Sequence, residues 1–417
     1  MPELNQPSAS INVPSSPLGK LVDAFRYADF RVLWSSILFN QIGQGMQQVV
    51  LGWLVLELTD SAGMVGIVFA VRSSPNFLVG FAAGAITDRL DRRVVMRAAV
   101  LGMAALALFS ALLLYLGALP VWGLMLVAFW MGVGQAFYMT ARLVYVYDIV
   151  GEGGAMHGIA IMSLAQRLGG VLGALAAGAL ILWWGPAVSF LVMAGGYAAG
   201  VSALWWLREA GESAPDQREP MWQNMVNYYR ALRSNRVMVI LMITTAGAEF
   251  LGFSHQVLLP VLARDVLHLG PAGLGIITAF RFLGGAFGVL VTAALGEVRR
   301  HGVALVVVLV SFGVGEVMLS QAGALWTVLL FVTFINVMAS VADILHQSLL
   351  QLSVPNQQRG RAMGSWLVAT GVGPVGHIQI GFLAGAATPG IALLANGITL
   401  AALALAAGIG VPRLRRL

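Results

Sequence analysis

The sequence is short of charge and of the residues that carry most soluble chemistry. Cysteine is absent, which excludes disulfides, thiolate metal sites and thiol redox chemistry. Lysine occurs once, at Lys20, and no G-x-x-x-x-G-K-[ST] loop is present, so ATP hydrolysis is excluded as an energy source. No His/Asp/Glu metal spacing and no nucleophile elbow occur either, so neither a cofactor nor an enzymatic activity is expected. Charged residues make up 10% of the 417 residues, against roughly 25% in a soluble domain.

What the chain has is apolar length. It is 59% hydrophobic with a mean hydropathy of +0.83. A helix rises about 1.5 Å per residue, so about 20 apolar residues cross a hydrocarbon layer of about 30 Å. Such stretches recur at 33–56, 62–86, 95–117, 121–144, 158–182, 187–207, 237–260, 271–295, 303–323, 325–349, 362–386 and 390–410. They are continuous rather than alternating every second residue, which selects helices over a barrel, and the 50 glycines suit close helix contacts. The expected fold is an all-α integral membrane protein with 12 transmembrane helices in two pseudo-symmetric six-helix bundles.

The cations orient it. Lys and Arg accumulate in short cytoplasmic loops, and with the N-terminus inside, 20 of the 24 basic residues fall in inner segments. Arg72, Arg167 and Arg281 lie within spans, and Arg264 alone lies in an outer loop. The net charge of +6 is then accounted for by topology and anionic lipid, not by nucleic acid. The first 20 residues lack the apolar core of a cleavable signal peptide. Residues 1–31 are therefore read as a cytoplasmic tail, 32–207 as an N-terminal bundle, 208–236 as a cytoplasmic linker, 237–411 as a C-terminal bundle and 412–417 as a second tail.

Sliding the second half back by 209 residues superposes Gly43 on Gly252, Gln47 on Gln256, Gly66 on Gly275, Arg72 on Arg281 and Asp88 on Glu297 without a gap. Two intramembrane arginines and two glutamines in one register point to parallel repeats.

The loop after the second span reads Gly84-Ala-Ile-Thr-Asp88-Arg89-Leu-Asp91-Arg92-Arg93. It resembles the signature between helices 2 and 3 of the major facilitator superfamily. That resemblance implies a glycine for tight helix contact and a cytoplasmic latch of charges, making Gly84, Asp88, Arg89, Arg92 and Arg93 gate residues. Asp91 stands where the family often has a second glycine. Asp29-Phe-Arg-Val-Leu-Trp34, Leu259-Pro-Val-Leu-Ala-Arg-Asp265 and Arg359-Gly-Arg-Ala-Met363 are similar to the branch containing the enterobactin exporter and macrolide-type efflux proteins. Two departures are Gly43-Gln44, where many relatives have aspartate after glycine, and Ala174 among Gly169, Gly173 and Gly178, where the antiporter motif has proline. The resemblance implies a multi-pass protein of a bacterial cytoplasmic membrane with both termini inside.

Glu249, Glu316 and Asp343 are the acids inside spans, and a charge at a helix centre costs roughly 2.5–3.5 kcal/mol on insertion scales. Rise per residue puts Glu249 and Arg281 near the same depth, as a static ion pair or as a proton carrier with its partner. Asp343, with His346 and Gln347, is a candidate for the inner gate or proton exit; Glu316 lies in a helix that is peripheral in the family, and no transport role is expected of it. Asn40, Gln44 and Gln47 share a helix face that either lines the central cavity or bonds neighbouring helices. Gln256, with His255 beside it, marks the equivalent stretch of the seventh span. Arg72 has Asn40 rather than an acid in the repeat position, so it either meets an anionic cargo group or is satisfied by carbonyls, Asn40 and Gln44. Arg167 is a second anion candidate, and His377 and Gln379 follow a bend expected at Gly373-Pro374.

The expected function is a proton-coupled exporter, an antiporter, of small amphipathic molecules such as drugs, siderophores or other metabolites, working by alternating access. The alternatives are a proton-coupled importer of an organic anion and a membrane receptor that does not transport. The expected partners are a small-molecule substrate with an acidic or catechol-like group, protons and membrane lipids, with the chain a monomer.

Overall fold

The computed structural model describes residues 24–87, 89–208, 236–295, 300–354 and 359–411, all helices and short connections. The tail up to residue 23, Asp88, most of the 208–236 linker and the segment from residue 412 lie outside the described residues. After a single turn at Ala24–Arg26 the passes are α1, Ala28–Thr59; α2, Ala62–Leu78 continued by Gly80–Thr87; and α3, Arg92–Tyr115. Val121–Leu204 is one hydrogen-bonded run that breaks at Gly151 (φ 67°) and Gly185 (φ 82°). Both angles lie in the left-handed region where glycine alone carries no Cβ penalty. The run therefore makes three passes: α4 (121–150), α5 (152–184) and α6 (186–204).

In the second half, α7 runs through 236–266, followed by α8, Pro271–Leu295; α9, His301–Ser320; α10, Leu325–Leu352; α11, Arg359–Thr370 with Gly373–Ala386; and α12, Pro389–Gly410. Nine described helices are long and apolar enough to cross a membrane. Counting His157–Leu204 twice for its break at Gly185, and adding α1 and α2, gives the twelve passes expected from the apolar runs. α11 is interrupted just before Gly373-Pro374: its regular α-helical bonding ends at Thr370 and resumes at Gly373.

One feature of the backbone is not visible in the apolar pattern. α7 is regular only over Arg236–Gly247; it widens to a π turn at Ala248–Gly252, tightens to 3-10 geometry over Phe253–Leu258, and ends in a second π turn at Leu262–Val266. Each change of winding rotates every later side chain relative to a regular helix.

The halves meet closely on the side of the bundle that carries the α1–α2 and α7–α8 connections. A Cβ on Gly275 of α8 would lie 3.0 Å from the Gly178 Cα of α5, and one on Gly381 of α11 would lie 3.0 Å from the Gly66 Cα of α2. Gly66 and Gly275 are mates in the 209-residue register, so each repeat places its glycine at a crossing with the other half. Between them Pro260 of α7 sits against Gly52 of α1, 2.6 Å from where a Cβ would be. The Arg264 guanidinium at the end of α7 donates to the Leu56 carbonyl (2.9 Å) and pairs with Asp60, both of α1. Asp60 is held out for this by a left-handed backbone (φ 49°) as the C-cap of α1.

Candidate functional site

Two cavities frame the question of where chemistry resides. The roomier, about 660 Å³, lies between α3 and α4 and is lined only by apolar and glycine residues such as Val94, Met103, Trp130 and Phe137, a furrow suited to lipid. The second, about 310 Å³, lies between the halves and is lined by Ser73, Asn76 and Phe77 of α2 together with Glu249, Asp343, Trp366, His377 and their neighbours in α7, α10 and α11. It holds the titratable groups and is the candidate site.

Its two acids reach it for different reasons. Glu249 sits in the π turn of α7 with its carboxylate near the break in α11; Oε2 would be 3.3 Å from a Cβ at Gly373, so a larger residue there would have to shift it by a few tenths of an ångström. Asp343 projects from α10, and its Oδ1 accepts a hydrogen bond from Trp366 Nε1 at 3.2 Å. No ion pair among the described residues engages either acid.

The expected pairing of Glu249 with Arg281 is therefore not formed. Arg281 instead donates to Gln48 Oε1 (2.9 Å) and Gln256 Oε1 (2.8 Å). Gln48 Nε2 also donates to Gln256 (3.4 Å), Gln256 Nε2 meets His377 Nε2 (2.9 Å), and His377 Nδ1 meets Ser73 Oγ (3.3 Å). This chain joins α1 and α2 of one half to α7, α8 and α11 of the other. Ser73, Gln256 and His377 are, on their helices, the cavity residues nearest the α1–α2 side. The network is thus the ceiling of the cavity on that side, and it is held by neutral amides, an imidazole and one arginine.

Several residues expected in the cavity lie elsewhere. The Asn40, Gln44, Gln47 stripe packs within the first half: Gln44 accepts from Arg72 (2.8 Å) and donates to Gln135 (3.1 Å) and Tyr197 (3.4 Å), Gln47 Nε2 lies 3.1 Å from Met131 Sδ, and Asn40 is fully buried with neither polar atom partnered. α1 is covered on both faces, so a polar stripe does not by itself say which face meets the cavity. The face toward the other half carries Gln48, which periodicity did not single out. Arg72 is satisfied by Gln44, the second of the two accounts open for it. Arg167 donates to Ser340 of α10 at 3.2 Å, crossing between the halves.

His255 and Gln379 are also displaced. His255 Nδ1 donates to the Gly252 carbonyl (2.7 Å), and His255 meets Asn336 (3.3 Å) and lies 3.8 Å from Glu316, all inside the second half. Glu316 is fully buried, and neither of its oxygens makes a hydrogen bond among the described residues. Gln379 bonds Asn396 of α12 (3.1 Å), which in turn holds the Leu251 carbonyl. Of the residues expected to contact cargo, His377 and Gln256 line the cavity, as do Glu249 and Asp343 of the coupling set.

Part of the charged loop behind α2 is described, and the acids paired there are Asp91 and Asp148. Asp88 lies outside the described residues, and among the described residues nothing lies within 4 Å of where a Cβ on Gly84 would be. Arg89 is exposed. Arg92 pairs with Asp148 at the end of α4. Arg93 binds Asp91 (2.7 Å) and the Arg208 carbonyl beyond α6 (3.0 Å), and its guanidinium holds the Asp91 carboxyl below the usual carboxylate range. Arg97 adds the Leu204 carbonyl (2.9 Å) and stacks over Trp205. These bonds tie α3, α4 and α6 of the first half together.

Twelve passes in two halves, with a polar cavity between them at the level where α7 and α11 lose regular geometry, define a secondary transporter of the major facilitator type. Residues 21–415 match the transmembrane secretion effector family, and the chain belongs to that family of major facilitator transporters. It is similar to the multidrug efflux pump Tap of Mycolicibacterium fortuitum, 27% identical over 90% of this chain and 93% of that one. It is also similar to the enterobactin exporter EntS of Citrobacter koseri, 25% identical over 93% and 92% of the two chains. Among solved structures, the nucleoside transporter NupG superposes with a TM-score of 0.73 at 14% identity, covering 92% of this chain and 98% of that one. A POT family transporter in complex with a thioalcohol-conjugated peptide gives 0.74 at 13%, covering 92% and 96%. These last two likenesses concern the fold alone.

Proposed function

We propose that the protein exports small amphipathic molecules across a bacterial cytoplasmic membrane in exchange for protons, by alternating access, with Glu249 and Asp343 as the proton carriers. The observation that carries this is two carboxylates in one cavity between the halves, neither in an ion pair among the described residues. A carboxylate at that depth is costly unless it is neutralised; Arg167, bonded to Ser340, attracts Asp343 from a distance, but no arginine contacts Glu249 among the described residues, so an exchangeable proton is the species proposed to neutralise it. Export is the activity named for both Tap and EntS, which align over nearly the whole chain. The excess of arginine in the even-to-odd connections supports placing the α2–α3 side, and both termini, in the cytoplasm.

In that orientation the glycine crossings, the Arg264 contacts and the Gln48–Arg281–Gln256–His377–Ser73 ceiling all lie on the outer side of the cavity. The conformer is closed outward, with the acids on the cytoplasmic side of the ceiling. Release outward requires the ceiling bonds between the halves to part. A proton moving inward across 100 mV yields about 2.3 kcal/mol toward that cycle.

The test is accumulation of antibiotics, dyes and siderophores in cells with and without the protein, each with and without an uncoupler. Lower accumulation that an uncoupler reverses, lost in Glu249→Gln, is the expected result. Normal uphill export by Glu249→Gln would overturn the assignment of the carrier.

A further inference from the structure

We infer that Arg72, Arg281 and Arg167 form a binding site for a small inorganic anion of halide size, placed where the two halves meet and outside the acidic cavity. The site goes beyond the export reading and does not depend on it.

The three side chains stand in a row. Gln44 and Gln48 are one turn apart on α1, about 6 Å at a rise of about 1.5 Å per residue. Arg72 Nη2 donates to Gln44 Oε1 (2.8 Å) and Arg281 Nη1 to Gln48 Oε1 (2.9 Å), which sets the two guanidinium groups on neighbouring turns. Gly285 follows Arg281 by one turn of α8, and Arg167 Nη1 occupies the space that a Cβ on Gly285 would take. Arg281 is accordingly within electrostatic reach of both other arginines. Arg72 and Arg167 belong to the first half and Arg281 to the second, so the row crosses the division between them.

Hydrogen bonds satisfy these groups without neutralising them. Among the described residues their partners are Gln44, Gln48, Gln256 and Ser340, all uncharged. The acid in reach is Asp343, which acts on Arg167 and already accepts from Trp366. Three cations against one carboxylate leave an excess of positive charge between apolar helices, where unpaired charge is costly and like charges repel. An anion on the row offsets both terms.

The donors left over fit a small ligand. Arg281 Nε is buried without a partner, and Arg72 and Arg167 each have one hydrogen bond to a side chain, with further N–H groups to give. None of the three lines the acidic cavity, yet each keeps part of its surface accessible. An ion of halide size can enter such a gap and share its charge among donors from α2, α5 and α8. Held from both halves, it stabilises the outward-closed conformer; without it the charge of Arg281 repels those of Arg72 and Arg167 across the division.

The experiment follows the chloride NMR line width of purified full-length protein in detergent as sodium chloride replaces sodium gluconate at constant ionic strength. Cargo and proton gradient are both left out, so the result stands apart from the fate of the export reading. The expected result is an excess width that saturates, with an unfolding temperature that rises along the same curve. Arg281→Gln and Arg72→Gln should each weaken binding by roughly tenfold, the scale of one charged hydrogen bond. Arg300→Gln, at the exposed start of α9, should leave it unchanged. Arg281→Lys keeps the charge and should bind chloride more tightly than Arg281→Gln. A width that grows without saturating in the wild-type protein overturns the inference, and so does a folded Arg281→Gln variant whose curve matches the wild type. Should neither glutamine variant fold, the wild-type curve and its response to competitors decide. Bromide should displace chloride, and benzoate, a carboxylate on an apolar body, should do so only at higher concentration. Displacement by benzoate at lower concentration than bromide would give the row to an acidic organic cargo and overturn the inorganic assignment.

Discussion

Replacing Arg264 by alanine removes two contacts that cross between the halves on the outer side and one that does not. Arg264 Nη1 donates to the Leu56 carbonyl at 2.9 Å and Nη2 pairs with Asp60, both in the first half, while the Nε bond to Asp265 at 2.5 Å is local. Asp60 is 85% exposed, so its pairing is a surface ion pair worth about 0.2–1 kcal/mol. The charged donor to a part-buried carbonyl is worth about 1.5 kcal/mol. Together they bias the outward-closed conformer by about 2 kcal/mol, a factor of roughly 30 in population, unless the variant regains part of it through water. The chain lacks cysteine, so cysteines introduced at Ala118 and Gln321, in connections of opposite halves on that side, can carry spin labels with no background. Pulsed electron resonance should show Arg264→Ala moving weight to longer separations, and Asp60→Asn moving less. Distance distributions that coincide in the variant and the wild type would refute the account of Arg264 as a link between the halves.

Gln48→Ala removes the acceptor that ties Arg281 to the first half and should raise the outward-open fraction in the same measurement; an unchanged fraction would show that the ceiling does not hold the halves. Gly275→Leu puts bulk against the Gly178 Cα and the Ala174 carbonyl, a misfit of about 1–3 kcal/mol, and should reduce export more than it reduces the amount of folded protein recovered from membranes. Arg92→Ala removes a buried guanidinium from Asp148, which is itself exposed, at a cost of roughly 1 kcal/mol, so the purified variant should unfold at slightly lower temperature, and Asp148→Ala added to it should cost little more. Export falling equally in both variants, with no difference in unfolding temperature, would deny the pair a structural role.

The architecture was legible because its causes are one-dimensional. Apolar runs of about 20 residues fix the passes whatever their packing, and glycines in a 209-residue register mark crossings that repeat. The interruption of α11 was written in Gly373-Pro374. The site was legible only in part. Glu249, Asp343, Gln256 and His377 announced themselves as polar residues in apolar spans, but partnering depends on rotation about each helix axis, and that is what α7 alters. The π turn at Ala248–Gly252 and the 3-10 stretch after it re-aim the residues that follow, and Gln256 rather than Glu249 meets Arg281. In a regular helix the repeat mate of Gln47 would have pointed as Gln47 does, into its own half. Gln48 escaped notice beside a more regular stripe, and Asp148 because it lies at the end of a span, where an acid needs no special explanation.

Whether Glu249 and Asp343 couple protons to cargo is tested most directly in proteoliposomes with an acidic lumen, using a compound that cells expressing the protein are found to export. The wild-type protein should accumulate the compound in the lumen above its outside concentration, and Glu249→Gln and Asp343→Asn should bring it only to equilibrium while still exchanging labelled for unlabelled compound across the membrane. Accumulation by Glu249→Gln equal to that of the wild type would contradict the account.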